Sequence, residues 1–341
     1  MVKEIKMLKI ALFSDFHYKK RMYPVKVSDL EKIFERAAAN NVDFVLHAGD
    51  FCNDYAGSPE ITDLYLNNPQ GLAVYGVYGN HDLETVGNSM DNVTPCLCNR
   101  EVNFAFEGAG HWYKDIKGYR LIGVDTNYSY NEEEDRWEHN LPATTGPRKG
   151  NKFGSTMGPD QLKWFEELIA DAHEKGMKVI TSSHMALAAE WWRNGNTDDV
   201  RAILAKYPNT VILCVSGHWH ADHFSIENNT AFIDINATIN AFWTRSDDFH
   251  YADDHTFEFH DYDKDGKEIG VSQMKFNDLS QGKNNWSVQD PLSAILTIED
   301  DGTITVEGTE SDWACGMIPP LQFPHVCVMP AIRSRTAKIE L

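Results

Sequence analysis

Residues 9–17, KIALFSDFH, run apolar from Ile10 to Phe13 and then stop on Ser14, Asp15 and His17. Residues 42–53, VDFVLHAGDFCN, repeat the design and stop on Gly49, Asp50 and Asn53, and residues 73–82, AVYGVYGNHD, stop on Gly79, Asn80, His81 and Asp82. Short apolar runs ending on polar residues read as buried strands, here over 9–14, 42–47 and 73–78. Between the first two, Ser28-Asp29-Leu30-Glu31 has the form of a capping box, and Leu30, Ile33, Phe34 and Ala37 follow at helical spacing. Strand, helix, strand in this order predicts a βαβ unit with parallel strands.

The same reading extends downstream. Pro159 opens and Gly176 closes a helix over 159–175, with Leu162, Phe165, Leu168, Ile169 and Ala172 on one stripe. Residues 177–183 and 211–215 read as strands, with a helix over 198–206 between them. Beyond about residue 216 the pattern turns β-rich, with strands expected at 231–235, 256–260, 269–274, 294–298 and 303–306, enough pieces for a second sheet. Residues 245–312 hold 17 acidic and 5 basic residues, whereas the tail beyond Asp312 is Pro-rich and slightly basic. The expected division is therefore a main domain over 1–312 and an extension over 313–341 that packs on it.

The whole chain of 341 residues has a formal net charge of −20. Such a field repels polyanions and offers few cations for counterion release, which argues against binding a nucleic-acid backbone. No run approaches the ~20 apolar residues of a membrane span, and the apolar run over 7–13 is too short for a signal-peptide core. The six cysteines, Cys52, Cys96, Cys98, Cys214, Cys315 and Cys327, are sparse and irregular, which suits reduced thiols in a cytoplasmic protein. Cys96 and Cys98 have no second pair at zinc-finger spacing, so they read as ordinary thiols.

Chemistry-bearing residues sit where each strand ends: Asp15 and His17, Asp50 and Asn53, Asn80 to Asp82, His184 after 177–183, and His218 and His220 after 211–215. The carboxyl ends of successive parallel strands converge on one edge of an α/β sheet, where such folds place their sites. That edge collects carboxylates, imidazoles and an amide, a donor set for two or more metal ions.

The ordered series D-x-H, G-D-x-x-N, G-N-H-D, a lone His and G-H-x-H resembles the calcineurin-like metallophosphoesterases. The resemblance implies an α/β fold in which two mixed sheets pack face to face with helices outside, a four-layer αββα sandwich. It also implies that Asp15, His17, Asp50 and His220 bind one metal ion, and Asp50, Asn80, His184 and His218 the other, with Asp50 bridging. Two ions ~3.5–4 Å apart would share a hydroxide that attacks phosphorus. The mixed donors suit Mn or Fe, with Zn also compatible, better than Ca or Mg. Metal-assisted hydrolysis of a small phosphodiester or phosphomonoester, nucleotide-derived esters among them, is the expected reaction; protein phosphatase and non-catalytic scaffold are the competing uses.

His81 follows Asn80, so it is the expected proton donor to the leaving group, with Asp82 orienting its imidazole; electrostatic stabilisation by an imidazolium would need the same position. The related purple acid phosphatases carry a Tyr three residues after the bridging Asp, where this chain has Asn53. Substrate contacts are expected from loops over 127–156, 186–196 and 240–255, with Arg148, Lys149, Trp191, Arg193 and Arg245 as residues able to clamp a phosphate or stack a base. Residues 261–266, DYDKDG, start like an EF-hand loop but place Ser272 at the bidentate position, so a hairpin turn explains them. Asp247, Asp248, His250, Asp253, Asp254 and His255 read as a solvated acidic loop, and His47 as a core histidine.

Overall fold

The computed structural model describes residues 6–18, 25–83, 88–106, 109–131, 135–139, 156–188, 195–244, 256–262, 268–275, 284–314 and 330–341. The first third is β1 (Leu8–Phe13), α1 (Val27–Ala39), β2 (Phe44–His47), α2 (Pro59–Leu66) and β3 (Val74–Gly76), the expected parallel βαβ unit. Helix α1 starts earlier than the capping box implies. Lys26 is its N-cap, and the Asp29 carboxylate accepts the Lys26 backbone N–H at 2.8 Å, so the box anchor is Asp29 rather than Glu31.

The middle of the chain gives α3 (Met90–Val93), β4 (Asn103–Phe104), β5 (Trp112–Ile116), β6 (Tyr119–Val124), β7 (Tyr128–Asn131), β8 (Arg136–His139), α4 (Pro159–Glu174), β9 (Lys178–Ser183), α5 (Thr197–Lys206), β10 (Val211–Ser216), β11 (His223–Glu227) and β12 (Thr230–Asp234). The remainder is β13 (Asn240–Thr244), β14 (Thr256–Tyr262), β15 (Glu268–Lys275), β16 (Asn284–Ser287), β17 (Ala294–Ile298), β18 (Thr303–Gly308) and β19 (Arg335–Lys338).

Two mixed sheets result. One has the order β19-β18-β17-β1-β2-β3, the other β11-β12-β10-β9-β6-β5-β4. The second sheet is thus not assembled from the late β-rich pieces: β17 and β18 run antiparallel beside β1 and extend the first sheet, β12 joins the second, and β14 with β15 forms a separate hairpin. The tail strand β19 pairs with β18 at the first sheet's edge.

Strand alternation decides how the layers stack. On β6 and β9, Leu121 and Ile180 join the core between the sheets, whereas Ile122, Val124 and Val179 face Phe165, Ile169 and Ala172 of α4. Leu30, Ile33, Phe34 and Ala37 of α1 cover the other side of the first sheet. The layers are helix, sheet, sheet, helix. In both sheets the parallel strands β1, β2, β3 and β6, β9, β10, β12 carry the site-bearing loops at their carboxyl ends.

Candidate metal centre

Short hydrogen bonds lace the turns after β1 and β2 together. Asp15 N–H donates to Gly49 O at 3.0 Å, His17 N–H to Asp50 O at 2.8 Å and Tyr18 N–H to Phe51 O at 2.9 Å. Contacts then cross between the sheets: His184 Nδ1 meets Ala48 O at 2.8 Å, and His218 N–H donates to Asp15 Oδ2 at 3.0 Å. Six side chains consequently gather in two groups, Asp15, His17 and His220, and Asp50, His184 and His218, each with its donor atoms within 4.8 Å of one another. Asp50 stands between them, its Oδ2 at 3.1 Å from His184 Nε2 and 3.7 Å from His17 Nε2. Asn80 Oδ1 lies 3.2 Å from His184 Nε2, so all seven donors expected from the sequence meet at one edge.

This crowding is sterically possible because of three glycines. A Cβ at Gly49 would lie 2.5 Å from His184 Nδ1, one at Gly79 1.9 Å from Asp50 Oδ1, and one at Gly217 2.6 Å from Asp15 Oδ2. The donors themselves are held in costly backbone. Asp15, His17, Asp50, His218 and His220 have φ of 51°, 51°, 54°, 75° and 54°, left-handed values that non-glycine residues adopt at a cost of about 1–3 kcal/mol each and that cluster at functional sites.

The protonation pattern suits cations. Burial raises the Asp15 and Asp50 carboxyls, but neighbouring imidazoles outweigh it and hold both below the usual carboxylate range. Burial pushes His17 and His218 down to about 3, keeping them neutral, the form that ligates a metal. Burial also disfavours a charged His184, yet Asp50 and Asp15 overcome it and raise it to about 10. The two carboxylates flanking His184, Asp50 at 3.1 Å and Asp15 at 3.9 Å, favour positive charge at this point, which a bound cation would supply. The donors fit a pair of divalent ions.

Ring orientation is set from behind. Asn53 Oδ1 can only accept, so its 3.2 Å contact puts the proton on His17 Nδ1 and leaves Nε2 facing the carboxylates. His184 is fixed the same way by Ala48 O. Asn53→Ala is expected to weaken the ion at Asp15 and His17 ~10–100-fold, as loss of such a support generally does, while leaving the other site's affinity in place. Competition titration with a chelating dye resolves the two affinities.

The profile of the calcineurin-like phosphoesterases matches residues 8–222. This chain belongs to the calcineurin-like phosphoesterase family. A manganese-dependent ADP-ribose/CDP-alcohol diphosphatase of Arabidopsis thaliana is 29% identical over 89 residues, which are 24% of this chain and 27% of that protein. The chain thus spans about a quarter of this curated relative. Among solved structures, a dimetal phosphatase from Danio rerio superposes with a TM-score of 0.57 at 14% identity, covering 90% of this chain and 98% of that one. A purple acid phosphatase from yellow lupin seeds gives a TM-score of 0.51 at 13% identity, covering 98% of this chain and 54% of that one. At such identities these two likenesses concern the fold.

Other site expectations fare differently in this family member. Asp82 holds backbone on both sides of the site. Its buried carboxylate accepts the backbone N–H groups of Asp50, Phe51, Cys52 and Gly79 and the Tyr55 hydroxyl, all at 2.7–3.0 Å, and so fastens the β3 turn to the β2 turn. The His81 ring stands 5.0 Å from the His17 ring, and its backbone N–H donates to Asp50 Oδ1 at 2.7 Å. His47 is buried among Phe13, Phe51 and Tyr65, but only Nδ1 is satisfied, by Gly49 N–H; Nε2 has no hydrogen-bond partner among the described residues. Arg148, Lys149, Trp191, Arg193 and Arg245 lie outside the described residues, as do residues 247–255 and 263–267. The strands flanking 263–267 form an antiparallel hairpin. Cys52, Cys96, Cys98 and Cys214 are free thiols, and no helix among the described residues is long and apolar enough to cross a membrane.

Sequence reasoning passed over Asp125. It follows β6 as the other acids follow their strands, and it is buried with its Oδ2 at 2.7 Å from His139 Nε2. The run 119–125, YRLIGVD, carries the same strand-then-acid signal.

Proposed function

We propose that this chain is a manganese-dependent hydrolase of small nucleotide-derived phosphoesters, of the diphosphate kind named for its curated relative. The observation that carries the reading is the pair of three-residue donor groups, joined through Asp50 at one edge of the sandwich. Two divalent ions bound there would neutralise phosphoryl charge and ease deprotonation of an attacking water. With two carboxylates among the donors, two such ions leave the edge positive, which attracts a phosphate despite the chain's net charge of −20.

The chain's own residues supply the rest. Hydrolysis joins a water oxygen to phosphorus, breaks the bond to the leaving oxygen and delivers a proton to that oxygen. We assign that delivery to His81, a reading supported by its partial exposure and by its ring lying 5.0 Å from that of His17. Asp82 keeps the His81 backbone beside Asp50 by tying the two turns together.

Incubating the manganese-loaded protein with ADP-ribose, CDP-choline, glycerol phosphate and a phosphoserine peptide tests the reading. ADP-ribose or CDP-choline should be cleaved with kcat/KM of at least ~10⁴ M⁻¹s⁻¹, an ordinary enzymatic value, and the peptide far more slowly. Preference for the peptide would identify a protein phosphatase, and inertness toward every ester would leave only a scaffold.

A further inference from the structure

The tail over 330–341 touches both sheets. Strand β19 pairs with β18 of the first sheet, Arg335 opposite Val306 and Lys338 opposite Thr303. Its other contacts reach the β11–β12 side of the second sheet: Asn236 Nδ2 donates to Ala331 O at 3.1 Å, and Glu340 N–H donates to Asn229 Oδ1 at 2.7 Å. The Arg335 guanidinium also lies over the Phe224 ring of β11, 5.5 Å from its centroid.

Between these anchors the tail grips one carboxylate. Asp222 Oδ2 accepts from Arg333 Nε at 2.7 Å and from Arg335 Nη2, and Asp222 is only 1% exposed. A buried carboxylate is costly unless paired, and charge-assisted bonds from two guanidiniums offset that cost while fixing where the oxygen sits. Residues 111 and 113 positions away thus define the place of Asp222.

Two residues before Asp222 comes a metal donor. His220 Nε2 stands 3.3 Å from Asp15 Oδ1 and 3.1 Å from His17 Nε2. Its φ of 54° is a left-handed conformation that persists only where the surroundings impose it. Ahead of His220 the turn is fastened by Gly217 N–H on His184 O at 2.9 Å and by His218 N–H on Asp15 Oδ2 at 3.0 Å. Beyond His220 it runs through the buried Ala221 to Asp222, at most ~7 Å of chain. Asp222 is the anchor on that far side.

We propose that Asp222, held by Arg333 and Arg335, is a positioning residue for His220, through which the tail sets the affinity of the ion at Asp15, His17 and His220. The inference rests on the two-ion reading of the centre and not on the substrate. Position and field predict opposite signs at the arginines. Replacing one by glutamine removes a positive charge near a cation, which by field alone would tighten the ion, whereas loss of the anchor loosens it.

Manganese(II) alone is the probe, titrated into the full chain against a chelating dye, and the affinity that His220→Ala removes marks the site in question. Asp222→Ala should weaken that affinity ~10–100-fold, the usual cost of losing a support behind a metal ligand, and leave the other in place. Asp222→Asn keeps an oxygen for the arginines and should recover most of the loss; equal losses in the two variants would assign the effect to charge and overturn positioning. Arg333→Gln, at a side chain 48% exposed, should weaken the same ion by a smaller factor, with the fold verified by circular dichroism. Unchanged or tighter binding in that variant overturns the proposal, whether or not Asp222→Ala folds. A lowered unfolding midpoint with both affinities unchanged would also overturn it, leaving the tail as a brace only. Wild-type protein that binds no manganese defeats the two-ion reading and the positioning with it, whereas two ions bound with equal strength by wild type and variants defeats the positioning alone.

Discussion

Asp50→Ala should leave neither metal site able to hold its ion. Asp50 is the sole carboxylate of the group that includes His184 and His218, so its loss strips that site of negative charge and leaves neutral imidazoles with the Asn80 amide. The site at Asp15, His17 and His220 keeps one carboxylate of two. Elemental analysis should therefore fall from two ions per chain toward zero, with hydrolysis dropping to background. Two ions still bound to the variant would disprove sharing. Asn80→Ala is the contrast: a neutral donor serving one ion should cost mainly the second ion.

His81→Ala should keep both ions and lower kcat by ~10²–10⁴, the usual worth of a general acid. Metal retention is expected because the contact that steadies Asp50 comes from the His81 backbone N–H, which alanine preserves. The loss should be large for esters with alkoxide-like leaving groups and small for nitrophenolate, which departs without a proton. Equal losses on both classes would show that the imidazole stabilises charge instead. Unchanged activity on every ester would remove His81 from the chemistry.

The site was legible because its donors obey a local rule. Each terminates an apolar strand, and parallel strands bring their carboxyl ends together, so Asp15, Asp50, Asn80, His184, His218 and His220 could be assembled without knowing a single distance. The supports followed no such rule. Four backbone amides and a tyrosine hydroxyl converge on Asp82 from segments up to 32 residues away, which its place beside His81 in the sequence did not signal.

The sheet arrangement shows the same limit on a larger scale. Pairing of Leu8 with Ile298 depends on contacts almost a whole chain apart, which periodicity within a dozen residues does not encode. β5 and β6 went unseen although WYKDI and YRLIGV are good strand sequences, because no motif drew attention to them. The start of α1 was misplaced for a simpler reason: Ser28 and Asp29 both suit helix starts, and only the observed hydrogen bond distinguishes them.

The donor residues also come from both layers. Asp15, Asp50 and Asn80 hang from one sheet, and His184, His218 and His220 from the other. An ion gripping Asp15 and His220 would therefore act as a rivet through the sandwich, closing a ring of about two hundred residues, and each ion bound by the native chain but not by its unfolded form deepens the native state by mass action. The rivet and the catalyst are one object. Chelation should therefore lower the thermal midpoint of unfolding as well as any hydrolysis, whereas an unchanged midpoint would show that the shared apolar core holds the two sheets together without the ions.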